Sequence, residues 1–216
     1  VEFPILQSGE AIRQGSGEII AHLLAGDALR PCVTRSELLH GWISGLDVSA
    51  CPPGQEENFQ TVVRALAKGG LRVFLRSDGR RPELLAAILA EGGVARVALD
   101  VLAPAVLYPA VAGGPLDPGD LSRSLAEVRH HPDHLIRLYL VPFAGPDGAP
   151  ARITPAEAGL AAQMVLDACG DRMLPVAIEA APAPGLEPLE GQALLPYRAK
   201  VRNALVRADI RKPQDH

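Results

Sequence analysis

The sequence has few cysteines, no long hydrophobic run and no excess of positive charge. Cys32, Cys51 and Cys169 are odd in number and far apart, which argues against a disulfide framework and indicates a reducing compartment. No apolar stretch approaches the length of a membrane-spanning helix, and the N-terminus shows no signal-peptide pattern. The formal net charge of -4 at pH 7, without a Lys/Arg run, provides no basic surface. We therefore expect a cytoplasmic protein that binds neither membranes nor nucleic acids.

The common nucleotide-binding and hydrolase motifs are also absent from the sequence. It contains no Gly-x-Gly-x-x-Gly, no Walker loop and no nucleophile elbow. Its 216 residues, 48% hydrophobic and 21% charged, are typical of a globular protein with one sizeable core. We expect a single domain over residues 1–210 and a polar tail over residues 211–216.

The most informative pattern is the run of residues 71–104, which predicts a strand, a helix and a second strand. Apolar residues alternate over residues 71–75, recur at helical spacing over residues 84–89, and form a second apolar run at residues 97–101. Two strands that are joined by one short helix are expected to be parallel, through a right-handed crossover.

The alternation of strands and helices continues along the whole chain. The predicted strands are residues 2–7, 46–50, 71–75, 97–101, 135–141 and 173–179. The predicted helices lie near residues 18–24, 34–43, 59–66, 84–89, 121–129 and 155–169, with a last one ending near residue 206. About six strands alternating with about six helices indicate an α/β fold, either an open doubly wound sheet or an incomplete barrel.

Polar side chains stand where the predicted parallel strands end. Arg76, Ser77 and Asp78 follow the third strand, Asp100 lies inside the fourth, and Glu179 ends the last. Parallel α/β proteins bind ligands at the carboxyl ends of their strands, so these five residues are candidates for ligand binding. The alternatives are structural. Asp78 begins an Asp-Gly turn, and Asp100, in an apolar strand, needs a partner, for which Arg76 is a candidate.

Cys51 and a group of histidines have both functional and structural interpretations. Cys51 follows the second strand and precedes two prolines. It is either a reactive thiol that binds a ligand or a small buried apolar residue. His130, His131 and His134 resemble a set of metal ligands. They lie, however, between a helix end and a strand start, where cationic side chains favour the helix C-terminus. We expect no metal site.

Four short segments resemble motifs of one enzyme family. Residues 76–79 (Arg-Ser-Asp-Gly) are similar to the Asp-Thr-Asn-Gly that ends the family's third strand, and residues 99–104 (Leu-Asp-Val-Leu-Ala-Pro) to Met-Asp-Ile-Lys-Ala-Pro of its fourth. Residues 108–113 resemble its tyrosine-to-Thr-Gly segment, and residues 141–142 its Val-Pro. The chain thus resembles radical S-adenosylmethionine enzymes, in particular the activating enzymes of pyruvate formate-lyase and anaerobic ribonucleotide reductase. The resemblance implies a partial (β/α)6 TIM-like barrel of parallel strands with outer helices.

The sequence departs from this family at the positions that carry its chemistry. The family's iron-sulfur cluster needs cysteines spaced Cys-x3-Cys-x2-Cys after the first strand, a spacing that occurs nowhere here. Aligning residues 6–8 with the end of that strand puts Gly9, Arg13 and Ser16 at the cysteine positions. Pro52 replaces the glutamate of the family's Gly-Gly-Glu-Pro motif, and Leu102 replaces its lysine.

The sequence keeps the barrel pattern of this family but lacks the ligands of the iron-sulfur cluster. It therefore favours a degenerate relative that has no cluster. We expect a non-catalytic or repurposed binding protein, with a protein, peptide or small molecule at the barrel mouth and with no cofactor. One alternative is an enzyme that binds S-adenosylmethionine or another nucleotide and uses Asp78, Asp100 and Glu179 for non-radical chemistry. A second is an ordinary phosphate-binding barrel enzyme, for which eight units or a phosphate loop near the last strands are expected.

Overall fold

In a computed structural model, the chain forms an α/β structure in which helices flank a six-stranded parallel sheet. The structure describes residues 5–8, 11–14, 16–33, 43–183 and 186–211. Among these residues, no helix has the length and apolar character needed to cross a membrane.

The elements alternate along most of the chain, as the periodicity predicts. The strands are β1 (Ile5–Ser8), β2 (Ala11–Gln14), β3 (Ile43–Asp47), β4 (Val73–Ser77), β5 (Val94–Val101), β6 (His134–Leu140), β7 (Phe143–Ala144), β8 (Pro150–Ala151), β9 (Val176–Ala180) and β10 (Ala208–Ile210). The helices are α1 (Ser16–Ala25), α2 (Glu56–Lys68), α3 (Pro82–Glu91), α4 (Tyr108–Ala112), α5 (Pro118–His130), α6 (Pro155–Cys169) and α7 (Leu195–Val201).

The main sheet has a strictly sequential strand order, β3-β4-β5-β6-β9-β10. Strands β3 and β4 pair in parallel, as do β6 with β9 and β9 with β10. The remaining described strands form two antiparallel hairpins outside this sheet, β1 with β2 and β7 with β8. Neighbours in the sequence are therefore neighbours in the sheet, and the order has no point of reversal.

The chain divides into two compact units. The first comprises residues 1–77, 83–98 and 130–134, and in it α2 packs against α1 and β4. The buried residues of α2 are Phe59, Val62, Val63 and Leu66. Their spacing places them in one apolar stripe along the helix.

The second unit comprises residues 78–82, 99–129 and 135–216. Helix α6 begins with a capping box, in which the Thr154 N–H donates to Glu157 Oε2 (2.6 Å) and the Glu157 N–H donates to Thr154 Oγ1 (3.3 Å). The helix then packs against α7. Its buried residues are Ala158, Ala161, Ala162 and Val165. Gly159 faces α7, since a Cβ at this position would lie 3.4 Å from Lys200 Cβ.

The membership of the sheet differs from the sequence prediction at both ends. The N-terminal strand, predicted over residues 2–7, is present as β1, but it pairs antiparallel with β2 and is not the first parallel strand. The sixth parallel strand is β10, which lies between the predicted end of the last helix, near residue 206, and the start of the predicted tail at residue 211. A three-residue strand is too short to show a period of two. Among the described residues the sheet therefore has six parallel strands, as expected. It lacks the predicted N-terminal strand and contains β10 instead.

Other boundaries also differ from the predictions. The helix predicted over residues 34–43 lies mostly outside the described residues, and its last position begins β3 instead. Helix α7 ends at Val201, before the predicted residue 206. The predicted tail, apart from Arg211, also lies outside the described residues. The expectation of one domain stays a prediction.

Candidate functional site

The second unit contains a sheet face that carries charged side chains in place of apolar ones. Successive residues of a strand point to opposite faces, so Leu99 and Val101 share one face of β5 while Asp100 lies on the other. In the same way, Arg137 and Tyr139 share one face of β6, and Tyr139 is in register with Glu179 of β9. Three neighbouring strands thus present Asp100, Arg137, Tyr139 and Glu179 on the same face. We call Asp100, Arg137 and Glu179 the charged triad.

The triad is held together by short hydrogen bonds from one guanidinium. Arg137 Nε donates to Asp100 Oδ1 (2.6 Å) and Nη2 donates to Asp100 Oδ2 (2.8 Å), a bidentate pair. Arg137 Nη1 donates to Glu179 Oε2 (2.7 Å). The side chains of Arg137 and Asp100 are each 4% exposed, and that of Glu179 is 2% exposed. The guanidinium carbon also lies 4.6 Å from the centre of the Tyr139 ring.

The electrostatics of the triad keep the guanidinium charged. Burial opposes the charge on Arg137, but the carboxylates of Asp100 and Glu179 favour it more strongly, so the pKa of Arg137 lies above its ordinary value. The triad is therefore an ionic network in an almost fully buried place, with a cation between two acidic side chains.

A second polar cluster occupies the turn that follows β4. Asp78 Oδ2 accepts from Arg80 Nε (2.7 Å) and lies 2.7 Å from Arg80 Nη2, while Oδ1 accepts from the Arg80 N–H (3.2 Å). Gly79 has a φ of +92°, and a Cβ there would lie 3.2 Å from Leu121 Cδ1, so glycine is needed in this turn. The Gly79 carbonyl oxygen accepts from Ser124 Oγ (3.1 Å). The turn is thus fixed from within and from α5.

Tyr108 connects this turn to the end of β5. Its hydroxyl donates to the Asp78 carbonyl oxygen (3.0 Å) and accepts from the Leu102 N–H (3.3 Å). Burial raises the pKa of Tyr108 well above its ordinary value, although the hydrogen bond from Leu102 opposes this shift. The hydroxyl is therefore a neutral bridge between the turn after β4 and the end of β5.

The structure brings some of the predicted site residues together. Asp100 and Glu179 share one arginine, and Asp78 stands in the second unit as part of the turn after β4. Arg76 and Ser77 lie on β4 in the first unit, where the Arg76 carbonyl oxygen accepts from the Val48 N–H (2.8 Å). Their part in a ligand site stays a prediction.

Sequence reasoning missed Arg137, which is the central residue of the triad. It named Arg76 as a candidate partner of Asp100, which stays a prediction, and it did not name Arg137 of β6, which forms a bidentate pair with Asp100. A signal was present, because Arg137 interrupts an apolar strand in the same way as Asp100 does. Because each of these charged residues needs a partner of opposite charge, the sequence could have predicted that they pair.

Cys51 and the histidines have contacts that fit their structural interpretations. Cys51 is 2% exposed, and its thiol lies 3.7 Å from the Pro52 carbonyl oxygen. His131 Nε2 lies 3.1 Å from the Val94 carbonyl oxygen and Nδ1 lies 2.9 Å from that of Asp133. His134 Nδ1 lies 2.7 Å from the His131 carbonyl oxygen. These ring nitrogens contact the backbone around the start of β6, which is a structural use of imidazole.

The residues present do not fit the iron-sulfur cluster that the resemblance implies. Of the cysteines, Cys32 and Cys51 are buried in the first unit, and Cys169 ends α6 in the second with its sulfur accepting from the Asp171 N–H (3.5 Å). Within the described part of the chain, no group of three or more His, Cys, Asp or Glu side chains is placed to hold a metal ion. The expectation that no cluster forms stays a prediction, because its test is chemical.

Comparison with known proteins does not assign a family. The chain matches no model of a known protein family and no curated protein. The resemblance to the activating enzymes therefore stays a prediction from the sequence, and the charged triad and the Asp78–Arg80 turn are the features from which a function is proposed.

Proposed function

We propose that this protein is a non-catalytic relative of radical S-adenosylmethionine activating enzymes that binds a small polar molecule on the charged sheet face. The observation that carries this proposal is the charged triad, whose three side chains come from three strands and are all almost fully buried. Burial of these groups favours a small molecule over a peptide segment, because a peptide needs an open surface along which to lie.

A buried ionic network of this kind contributes little to the stability of the fold. Taking charges out of water costs several kcal/mol per ion, and apolar residues of similar volume are often as stable or more stable. Binding sites commonly keep such groups at the expense of stability, since they recognise polar ligands. We therefore attribute the triad to recognition rather than to folding.

The strand order supports a partial (β/α)6 barrel as the frame of this site. Parallel strands joined in sequential order by right-handed crossovers carry their helices on one face. The other face is then the interior, which is the face that we assign to the triad. A doubly wound sheet would need a reversal of strand order, and the sheet has none.

The non-catalytic part of the proposal depends on the residues that the family uses and this chain lacks. No Cys-x3-Cys-x2-Cys spacing is present, and Pro52 and Leu102 replace a glutamate and a lysine that the family provides. Without three thiolates at the proper spacing, a four-iron cluster has no anchored site. Radical cleavage of S-adenosylmethionine is therefore not expected.

Two measurements test the non-catalytic assignment. After anaerobic reconstitution with iron and sulfide, we expect iron far below four per chain and no cleavage of S-adenosylmethionine under reducing conditions. A stoichiometric four-iron cluster with cleavage would overturn the assignment. Calorimetric titration with S-adenosylmethionine separates the rival, an enzyme with non-radical chemistry on this cofactor, because binding at or below about millimolar concentration favours that rival.

A stability measurement tests the assignment of the triad to recognition. Replacing all three residues together (Asp100→Val, Arg137→Met and Glu179→Met) replaces the charged groups with apolar side chains. If the triad serves recognition, urea unfolding of the triple variant should show equal or greater stability, by up to about 4 kcal/mol. A clear loss of stability in a variant that still folds would identify the triad as structural.

A further inference from the structure

We infer that Arg80 is an anion-binding residue, which takes a phosphate or carboxylate group of a small molecule at the turn after β4. The inference goes beyond the proposed function, because it assigns a second binding position, at the turn after β4, and the chemical group that this position takes. It depends on contacts of the second unit that are separate from those of the charged triad.

One edge of the Arg80 guanidinium is held in place by the protein. Nε donates to Asp78 Oδ2 at 2.7 Å and Nη2 lies 2.7 Å from the same oxygen, while the Arg80 N–H donates to Asp78 Oδ1. The Asp78 side chain is 8% exposed. The backbone carbonyl oxygen of Asp78 accepts a hydrogen bond from the Tyr108 hydroxyl. A guanidinium held in this way loses little conformational entropy when it binds a ligand.

The other edge of the guanidinium remains available. A guanidinium has five N–H donors, and the contacts with Asp78 occupy one on Nε and one on Nη2. In the part of the chain that the structure describes, Nη1 has no hydrogen-bond partner, so Nη1 and the second N–H of Nη2 form an unoccupied fork. Such a fork fits the two oxygens of a carboxylate or phosphate.

A glycine makes room for this edge. A Cβ at Gly114 would lie 2.8 Å from Arg80 Nη1, so any side chain at this position would displace the guanidinium. The Arg80 side chain is 22% exposed, so part of it is open to solvent. Asp78 and Gly114 therefore act together, because the first orients the guanidinium and the second places no side chain against Nη1.

The test uses inorganic phosphate and acetate, so it does not need the natural ligand. Each anion is titrated into the 15N-labelled protein at constant ionic strength, with the amide signals of Gly79, Arg80 and Gly114 as the readout. We expect saturable shifts at these positions. Binding of phosphate but not acetate assigns a phosphate-bearing ligand, and the converse result assigns a carboxylate-bearing one.

Three variants make the result specific. Arg80→Gln should weaken anion binding by about tenfold or more, the factor expected when a charge-assisted hydrogen bond is lost. Gly114→Ala should also weaken binding, although it changes no charge, because its Cβ displaces Nη1. Arg198→Gln removes a similar aspartate-paired arginine elsewhere in the second unit and should leave binding unchanged.

Clear outcomes would overturn the inference. It fails if neither anion produces saturable shifts at the turn, or if Arg198→Gln weakens binding as much as Arg80→Gln does. Should Arg80→Gln unfold, Gly114→Ala decides the question, since it keeps the charge of Arg80 and changes only the space beside Nη1. The triple variant of the triad tests the proposed function independently, so the two proposals can fail separately.

Discussion

At the scale of the residue, Arg137 decides the character of the charged sheet face. It joins Asp100 of β5 to Glu179 of β9 through three hydrogen bonds of 2.6 to 2.8 Å, and its own side chain is 4% exposed. One guanidinium therefore provides the charge partner for two buried acidic side chains, and the effect of removing it should differ from that of removing the whole network.

We expect Arg137→Leu alone to destabilise the protein by about 3–5 kcal/mol, because it takes a cation away from two buried carboxylates. Urea unfolding followed by circular dichroism measures the loss. Arg129→Leu is the matched control, since Arg129 forms an exposed pair with Asp171 and should cost less than about 1 kcal/mol. If the two variants lose the same free energy of unfolding, burial of the Arg137 pair does not make its removal more costly.

Tyr108 leads to a prediction about pH. Its folded-state pKa is raised, so the stability it contributes is present below the unfolded pKa of about 10 and is lost as the pH rises toward the folded value. We expect the free energy of unfolding to fall above about pH 10, and Tyr108→Phe to reduce this slope. Tyr197 of α7 is the comparison, since burial raises its pKa less than that of Tyr108, so Tyr197→Phe should reduce the slope less. An unchanged slope in Tyr108→Phe would count against the burial of the hydroxyl.

At the scale of the element, local patterns predicted most helices and strands correctly. The three strands that carry the triad were predicted within a few residues, because β5, β6 and β9 are apolar runs between helices. The hairpin partner β2 and the short strand β10 were not predicted. Which strand a four-residue segment pairs with depends on contacts that its own sequence does not contain, and three residues are too few for a period.

The capping box of α6 permits a prediction for a single element. Thr154→Ala should lower the free energy of unfolding by about 0.5–2 kcal/mol, since it removes the oxygen that accepts the Glu157 N–H. Gln55→Ala at the start of α2 is the control, because Gln55 forms no side-chain cap there. Thermal unfolding monitored by circular dichroism compares the two. A smaller loss for Thr154→Ala than for Gln55→Ala would contradict the box.

At the scale of the whole molecule, charge and composition restrict the class of partner. With a net charge of -4 and no basic run, the protein should show no saturable binding to double-stranded DNA or single-stranded RNA at about 10 µM protein in physiological salt. Fluorescence anisotropy of labelled oligonucleotides, about 30 nucleotides long, measures the binding as protein is added up to about 10 µM. Salt-sensitive binding in the micromolar range would contradict the charge argument.

The sequence by itself determined that this is an α/β protein and that carboxylates stand at the carboxyl ends of its strands. Hydrophobic periodicity and turn residues are local signals, which a single sequence contains in full. The tertiary structure decided which strands form the sheet, and it decided that Asp100 finds its partner in Arg137, 37 residues away. Such a pairing follows from strand order and register, and neither is written in the residues near Asp100. The same holds for Gly114, which only the fold brings close to Nη1 of Arg80.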